Sequence, residues 1–159
     1  RNKIPIYTDK KTKDYLIKSF SYCFKKKNNY PAILKLISLK KRLNLKKGLK
    51  IQSVPVRHGP INSISYIINQ KLAYLPDANE IYKKDYKYFL NLEYIIIDCL
   101  RYKEHPSHYN LSEILKLNKF LKPKKMILTN LHSDLDYNKL LYKLPKNIKP
   151  AYDGLAINI

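Results

Sequence analysis

Residues 49–77, LKIQSVPVRHGPINSISYIINQKLAYLPD, contain three strand patterns in close succession. Residues 49–56 alternate apolar with polar side chains, and many of the apolar ones are β-branched. Residues 61–68 and 71–74 have the same character, and Asn69-Gln70 between them favours a tight turn. This stretch therefore predicts consecutive strands of one sheet, the last two joined by a short turn.

Helical and strand patterns alternate in the rest of the chain. Upstream we predict a strand at 4–7, a helix from Thr8 or Asp9 to Phe20, a polar loop at 25–30, a strand at 32–39 and a basic turn region at 40–48. Downstream we predict helices at 81–90, 111–121 and 137–144, and strands at 94–97, 125–129, 148–151 and 155–159. This order predicts a mixed α/β (α+β) layered domain. The sequence lacks a glycine-rich phosphate loop, which argues against dinucleotide-binding and P-loop folds.

The length and composition fit one ordinary globular domain. The chain has 159 residues, 45% of them hydrophobic, and no apolar run approaches the ~20 residues needed to span a bilayer. The first residues lack the apolar stretch of a secretory signal, so we expect a cytoplasmic protein. Cys23 and Cys99 are far apart and form no CxxC pair, which favours buried free thiols over a thiolate zinc site.

The charge is strongly basic, at +20 from 32 basic and 12 acidic residues. One interpretation is a polyanionic partner such as RNA, DNA or a phosphate ester. The other is composition: AT-rich codons favour the abundant Lys, Asn, Ile and Tyr, and Lys is poorer than Arg at bidentate phosphate recognition. With either origin, a field of this sign attracts an anionic substrate.

All four histidines, at positions 58, 105, 108 and 132, lie at predicted strand ends or in loops. Asp77 also directly follows a predicted strand. Polar residues at the strand ends of a layered α/β domain are where sites are usually built. Imidazoles together with a carboxylate suit Zn²⁺, Mn²⁺ or Fe²⁺, so these positions predict a metal site.

Six short motifs carry a resemblance to a known family. In chain order they are VPVRHG (54–59), AYLPD (73–77), DCLR (98–101), HPSH (105–108), LTNLHSDLDY (128–137) and AYDG (151–154). Together they resemble the metallo-β-lactamase superfamily, in particular the branch of the phosphoribosyl cyclic phosphate phosphodiesterase, a relative of ribonuclease Z. The resemblance extends over essentially the whole chain.

The resemblance implies an αββα sandwich with two metal ions at one edge of its sheets. Its defining HxHxDH motif is expected upstream of residues 4–7 and does not occur in the sequence. The chain begins at Arg1, and its only methionine is Met126. We therefore expect residues 1–159 to be a single partial domain, the C-terminal portion of the sandwich, truncated at its N-terminus and inactive by itself.

The resemblance also assigns metal ligands to individual positions. It implies that His58 is the isolated ligand after HxHxDH and that Asp77 is the carboxylate bridging two metal ions. For the last ligand we choose His132, because Asn130 stands where many relatives have histidine. Asn130 is then either a weak oxygen ligand or a donor that positions a ligand.

The remaining candidate residues surround these ligands. The resemblance implies that a histidine in the 105–108 loop is the general acid; His108 matches better, and His105 binds substrate phosphate or serves the loop structurally. Asp98 and Asp153 are candidates to orient ligand histidines, or are structural. Arg57 and Arg101 are candidates to balance substrate charge, or are surface residues.

These residues predict a metal-dependent hydrolase, chiefly a phosphodiesterase of small cyclic or ester phosphates. The reaction expected from the resemblance uses two divalent ions, zinc or manganese, and a hydroxide between them. The alternatives are a ribonuclease Z-like RNA endonuclease and a non-catalytic basic nucleic-acid-binding domain of the same fold. The expected partner is an anionic phosphate ester, with nucleic acid and a homodimer left open and no membrane partner.

Overall fold

The computed structural model describes residues 2–26 and 28–159. The chain divides into two compact units, Arg1–Lys40 and Lys41–Ile159. The larger unit contains all four histidines and Asp77, so the candidate site lies within it. Within the described residues, no helix is long and apolar enough to cross a membrane.

The smaller unit is a βαβ arrangement. Its strands β1 (Ile4–Thr8) and β2 (Leu34–Ser38) pair in parallel, and the helices α1 (Lys10–Ser19) and α2 (Ser21–Phe24) lie between them in the chain. The predicted cap at Asp9 is confirmed, because its carboxylate accepts the backbone N–H groups of the first turn of α1 at 2.9 and 3.1 Å.

The larger unit is built on a seven-stranded sheet. In spatial and chain order its strands are β3 (Arg42–Asn44), β4 (Lys50–His58), β5 (Ile61–Ile68), β6 (Leu72–Leu75), β7 (Tyr94–Asp98), β8 (Lys125–Thr129) and β9 (Ile148–Pro150). Neighbours from β3 to β6 pair antiparallel, and neighbours from β6 to β9 pair in parallel. The antiparallel half is therefore continuous with a parallel half.

Two helices accompany the parallel half of the sheet. Helix α3 (Leu111–Leu121) begins with a capping box, in which the side chains of Asn110 and Glu113 each accept the other's backbone N–H, and α4 (Tyr137–Lys143) follows β8. The core contains fully buried side chains from the strands, from both helices and from the loop before β7, among them Val56, Ile95, Ile97, Phe89, Ile114, Leu121, Leu128 and Leu140. Burial of this apolar surface is the main stabilising term for the unit.

The strand directions decide where the site forms. Strand β4 is antiparallel to β5, which is antiparallel to β6, so β4 and β6 run in the same direction. Strands β7 and β8 are parallel to β6. The carboxyl ends of β4, β6, β7 and β8 therefore meet at one edge, and the residues at those ends are His58, Asp77, Asp98 and Asn130.

The predicted mixed α/β layered architecture is confirmed, and the tight turn at Asn69-Gln70 is present with positive φ at both residues. Two local predictions are wrong. Residues 81–90 contain a 3-10 segment, Lys83–Tyr88, instead of an α-helix, and residues 155–159 form no strand. Helix α2 and strand β3 were not predicted. Of the predicted loop at 25–30, Lys27 lies outside the described residues.

Gly59 closes the turn between β4 and β5 at φ +61°, and it is in close contact with a second loop. A Cβ placed on Gly59 would lie 3.0 Å from the Cβ of Ser107. Gly48 has a similar φ of +74°, but a Cβ there would meet no atom within 4 Å. The two glycines thus share the same backbone requirement and differ only in the space around them.

We expect Gly48→Ala to lower the free energy of unfolding by roughly 1–2 kcal/mol, the usual penalty of a side chain in the left-handed region. Gly59→Ala should lower it by a further ~1–3 kcal/mol, because the Ser107 loop must also move. Urea unfolding of both variants measures the difference. Equal losses for the two variants would show that the contact with Ser107 contributes nothing.

Candidate metal centre

Three side chains converge at the sheet edge formed by the carboxyl ends of the strands. The imidazoles of His58 and His108 and the carboxylate of Asp77 each offer one ligand atom, and these atoms lie within 4.8 Å of one another. Among the described residues, this is the one group of three or more His, Cys, Asp or Glu side chains so arranged.

His58 is held by a backbone carbonyl. Its Nδ1 lies 2.8 Å from the carbonyl oxygen of Ser107. Because a carbonyl oxygen only accepts, Nδ1 carries the proton, and the neutral ring keeps its lone pair on Nε2. This arrangement is typical of a histidine whose other nitrogen binds a metal ion. The ring also packs edge-on against His108, with the centroids 4.6 Å apart.

His108 is held by a buried carboxylate. Its Nδ1 donates a hydrogen bond to Oδ2 of Asp98 at the end of β7, and the Asp98 side chain is fully buried. Burial raises the pKa of Asp98 to about 6, and the hydrogen bond and charge of His108 oppose that rise. Above that pKa the carboxylate is ionised and fixes the His108 tautomer, which leaves Nε2 facing the site.

Asp77 follows β6, and the loop that contains it is hydrogen-bonded to neighbouring segments on two sides. The side-chain amide of Asn130 donates to the carbonyl of Pro76 at 2.6 Å. The side chain of Asn79 accepts the backbone N–H of Gly59 at 2.9 Å, directly after His58. These bonds fix the Asp77 loop relative to the ends of β4 and β8.

The residues present fit a divalent cation. Two imidazole nitrogens and one carboxylate oxygen are the donor types that zinc, manganese and iron accept. The imidazole tautomers are already set by Ser107 and Asp98, so both rings direct an unprotonated nitrogen to the site when neutral.

The last ligand chosen from the sequence lies outside this group. The Nδ1 of His132 is 3.0 Å from Oδ1 of Asp134, and the His132 side chain is 58% exposed. Asn130, the alternative, is the residue that contacts the Asp77 loop, and it has a left-handed backbone with φ 56°. Asp153 lies exposed in the turn after β9. The ligand role of His132 stays a prediction.

The other candidate residues border the group. The rings of His105 and His108 have centroids 5.0 Å apart. Partial burial and the positive charge of Arg101 lower the pKa of His105 below its ordinary value. The Arg101 guanidinium donates to the carbonyl of Glu104 at 2.7 Å, whereas Arg57 forms an ion pair with Glu80 at 3.2 Å.

Sequence reasoning missed three residues that build the site: Ser107, Asn79 and Tyr109. Tyr109 is buried, and its hydroxyl accepts the backbone N–H of Ile81 at 2.9 Å, which fixes the loop that follows Asp77. Burial raises the pKa of this phenol above its ordinary range. Two features of the sequence could have pointed to these contacts: the Gly directly after His58 and the Asn two positions after Asp77.

The chain is similar to known proteins of one fold. It can be superimposed over its full length on a crystal structure of a new diphosphatase from the PhnP family, with a TM-score of 0.88 and 28% identity, and it covers 60% of that protein. Human tRNase Z, short form, gives a TM-score of 0.67 at 15% identity over 100% of the chain and 68% of that protein. Zn²⁺-bound PqqB from Methylobacterium extorquens gives 0.71 at 11% identity over 99% of the chain and 66% of that protein.

The chain thus spans about three fifths of the length of the PhnP-family diphosphatase. No curated protein sequence matches it significantly. The family model of the Beta-lactamase superfamily domain matches residues 1–130, which is most of the chain. The chain therefore belongs to the β-lactamase superfamily and has the metallo-β-lactamase fold.

Proposed function

We propose that the full-length protein is a metal-dependent hydrolase, and specifically a phosphodiesterase of small cyclic or ester phosphates. The observation that carries the proposal is the convergence of His58, Asp77 and His108, with ligand atoms within 4.8 Å. The 28% identity to a PhnP-family diphosphatase over the full length of the chain supports the choice of phosphate chemistry. A net charge of +20 would favour the approach of such an anion.

His58 and Asp77 are the ligands that we assign to this chain, and we propose zinc or manganese, two ions in all, with His132 or Asn130 as the last ligand that this chain supplies. When bound, such ions supply Lewis-acid activation of water and of a phosphoryl oxygen. His58 contributes Nε2 because Ser107 holds its Nδ1. Asp77 contributes a negative charge that offsets the charge of the cations.

His108 is the proposed proton donor. Its Nδ1 stays hydrogen-bonded to Asp98, so Nε2 is the atom that can deliver a proton to the departing alkoxide. The buried carboxylate stabilises the imidazolium before transfer and keeps the ring oriented. The ring is 19% exposed, which leaves one edge open to a substrate.

Arg101 and His105 are the proposed phosphate-binding groups. The Arg101 guanidinium is oriented by the carbonyls of Lys103 and Glu104, which do not neutralise its charge. Arg57 is the weaker candidate, because its charge is already balanced by Glu80. A phosphate bound by Arg101 and His105 would lie beside the His108 ring, which is 5.0 Å from that of His105.

An RNA endonuclease of the ribonuclease Z type is the second candidate, favoured by the charge of +20. A non-catalytic basic nucleic-acid-binding domain is a third. The ratio of kcat/KM for a cyclic ribose phosphodiester to that for a tRNA-sized RNA separates the first two. We expect the small substrate to be preferred; preference for the RNA would replace the proposal by the second candidate.

Asp77→Ala in the full-length protein should remove bound metal and abolish hydrolysis of bis-p-nitrophenyl phosphate, because the carboxylate contributes both a ligand atom and the compensating charge. Metal content by mass spectrometry and steady-state rates measure the two effects. Asp14→Ala, at an exposed position of α1, is the matched control and should change neither. Retention of full metal content and activity by Asp77→Ala would contradict the proposal.

His108→Ala should leave metal content intact and lower kcat by about 10²–10⁴-fold, the usual contribution of general acid catalysis. The defect should be small for p-nitrophenyl esters, whose leaving group needs little protonation, and large for ribose alkoxides. Steady-state rates of the wild type and of His108→Ala on the two substrate types give the ratio of the two defects. His105→Ala is the companion variant and should raise KM more than it lowers kcat.

Two results would change the role assigned to His108. An equal His108→Ala defect for both leaving groups would move the proton donor elsewhere, with His105 next. Loss of metal from His108→Ala would make His108 a ligand, as its place within the group of three also allows.

A further inference from the structure

A cleft lies in the larger unit, along the edge of β4 and apart from the candidate metal centre. Its volume is about 550 Å³, within the range of small-molecule sites. Ser53, Val54 and Pro55 of β4 form one side, and the 3-10 segment Lys83–Tyr88 with the preceding Tyr82 forms the other. None of His58, Asp77 and His108 lines it.

The cleft exists because pairing along this edge of β4 is interrupted. Strand β3 pairs with β4 as far as Gln52, and the carbonyl of Lys41 accepts the N–H of Ser53. The next backbone contact on that side is the bridge between Arg57 and Glu80. In the described part of the chain, no strand pairs with residues 54–56 on that side, and Pro55 lacks the N–H that a ladder would need.

The cleft combines two aromatic rings with lysines. The rings of Tyr82 and Tyr88 are half-buried and form part of its wall. The Nζ of Lys84 is 6.0 Å from the Tyr82 centroid, and the Nζ of Lys41 is 6.0 Å from the Tyr88 centroid. The ammonium of Lys87, which is not among the residues that line the cleft, is 5.3 Å from the Tyr88 centroid.

The Tyr82 ring is fixed before any ligand arrives. Its hydroxyl donates to Oδ1 of Asn62 at 2.6 Å, and the Arg57 guanidinium lies 5.9 Å from the ring centroid. A ring held in this way loses little conformational entropy when a flat ligand stacks on it. Lysine stems remain flexible, so their ammonium groups can follow an anion while the rings stay in place.

These features select a ligand that is both flat and anionic. Tyrosine faces bind nucleobases by stacking, and lysines bind phosphate. A purely aliphatic ligand would leave the ammonium groups without a partner. An acidic peptide would pair with the ammonium groups, but its carboxylate side chains would not stack on the two rings. The lining also contains one carboxylate, Asp85, which can accept a hydrogen bond from the exocyclic amino group of a base.

We propose that this cleft binds a nucleotide unit, with its base against Tyr88 or Tyr82 and its phosphate between Lys41 and Lys84. The unit is either a free nucleotide or one residue of a single-stranded RNA, since both present the same base and phosphate. The site is separate from the metal centre and does not depend on the proposed hydrolysis.

The test is binding of a fluorescein-labelled oligo(A) 8-mer to the full-length protein, followed by anisotropy in the presence of EDTA so that metal-dependent contacts are absent. Tyr82→Ala or Tyr88→Ala, whichever removes the ring that stacks on the base, should weaken binding about ten-fold, in line with the loss of one stacked base. Tyr142→Ala, at a 90% exposed tyrosine, is the matched control and should bind like the wild type. Tyr88→Phe keeps the ring and should retain binding, which separates stacking from misfolding.

The lysines are tested in the same assay across a series of salt concentrations. The double variant Lys41→Ala/Lys84→Ala should reduce the slope of log K against log salt by about 2, because two phosphate contacts are lost. Lys139→Ala/Lys143→Ala removes the same charge from α4 and should leave the slope unchanged.

Competition with AMP distinguishes the two sources: displacement of the labelled strand by AMP identifies a free-nucleotide site, and displacement only by unlabelled oligo(A) identifies a strand site. Absence of binding by either probe would overturn the proposal. So would equal effects of the two lysine pairs, or wild-type binding by both Tyr82→Ala and Tyr88→Ala.

Discussion

The buried carboxylate of Asp98 and the Nδ1 of His108 form the hydrogen bond on which the rest of the site depends. Asp98 ends a central strand and is fully buried, so its position is set by the core. An ionised carboxylate without a partner there would be strongly unfavourable, and this favours retention of the hydrogen bond from His108. The bond therefore transfers the rigidity of the sheet to a loop, and that loop supplies the Ser107 carbonyl that holds His58.

The strand directions complete this constraint. Because β4 runs in the same direction as β6, β7 and β8, the residues at the end of each of these strands, or just after it, reach the same edge. A few hydrogen bonds and close contacts between the loops are then enough to bring their side chains together. The absence of a Cβ at Gly59 admits the Ser107 loop, and Asn79 and Asn130 connect the Asp77 loop to its two neighbours.

Part of the site could be predicted from local sequence. His58 and Asp77 lie at or just after the ends of strands with clear alternating or apolar patterns, so their common edge follows from the fold. The contact between His108 and Asp98 could not be predicted in the same way, because the path of the intervening loop depends on tertiary bonds such as Tyr109 N–H to the carbonyl of Ala78.

The errors in the fold also have local causes. Ile81 and Phe89 have apolar character at a spacing that suits a helix, but they are buried in the core on either side of a 3-10 segment. Strand β3 has only three residues, Arg42–Asn44, two of them polar and exposed, so its pairing with β4 gives no sequence pattern. Residues 155–159 are apolar enough for a strand but form no ladder in the described structure.

Two regions of one unit thus have different chemistry: a group of imidazoles and a carboxylate at the strand ends, and a tyrosine and lysine cleft along an unpaired strand edge. The central claim is that the first of these holds metal. Anomalous diffraction at the zinc edge, from crystals of the full-length protein grown with zinc, tests it most directly. We expect a peak bonded to Nε2 of His58 and to the Asp77 carboxylate. Zinc bound only elsewhere, with His58 and Asp77 free of it, would contradict the claim.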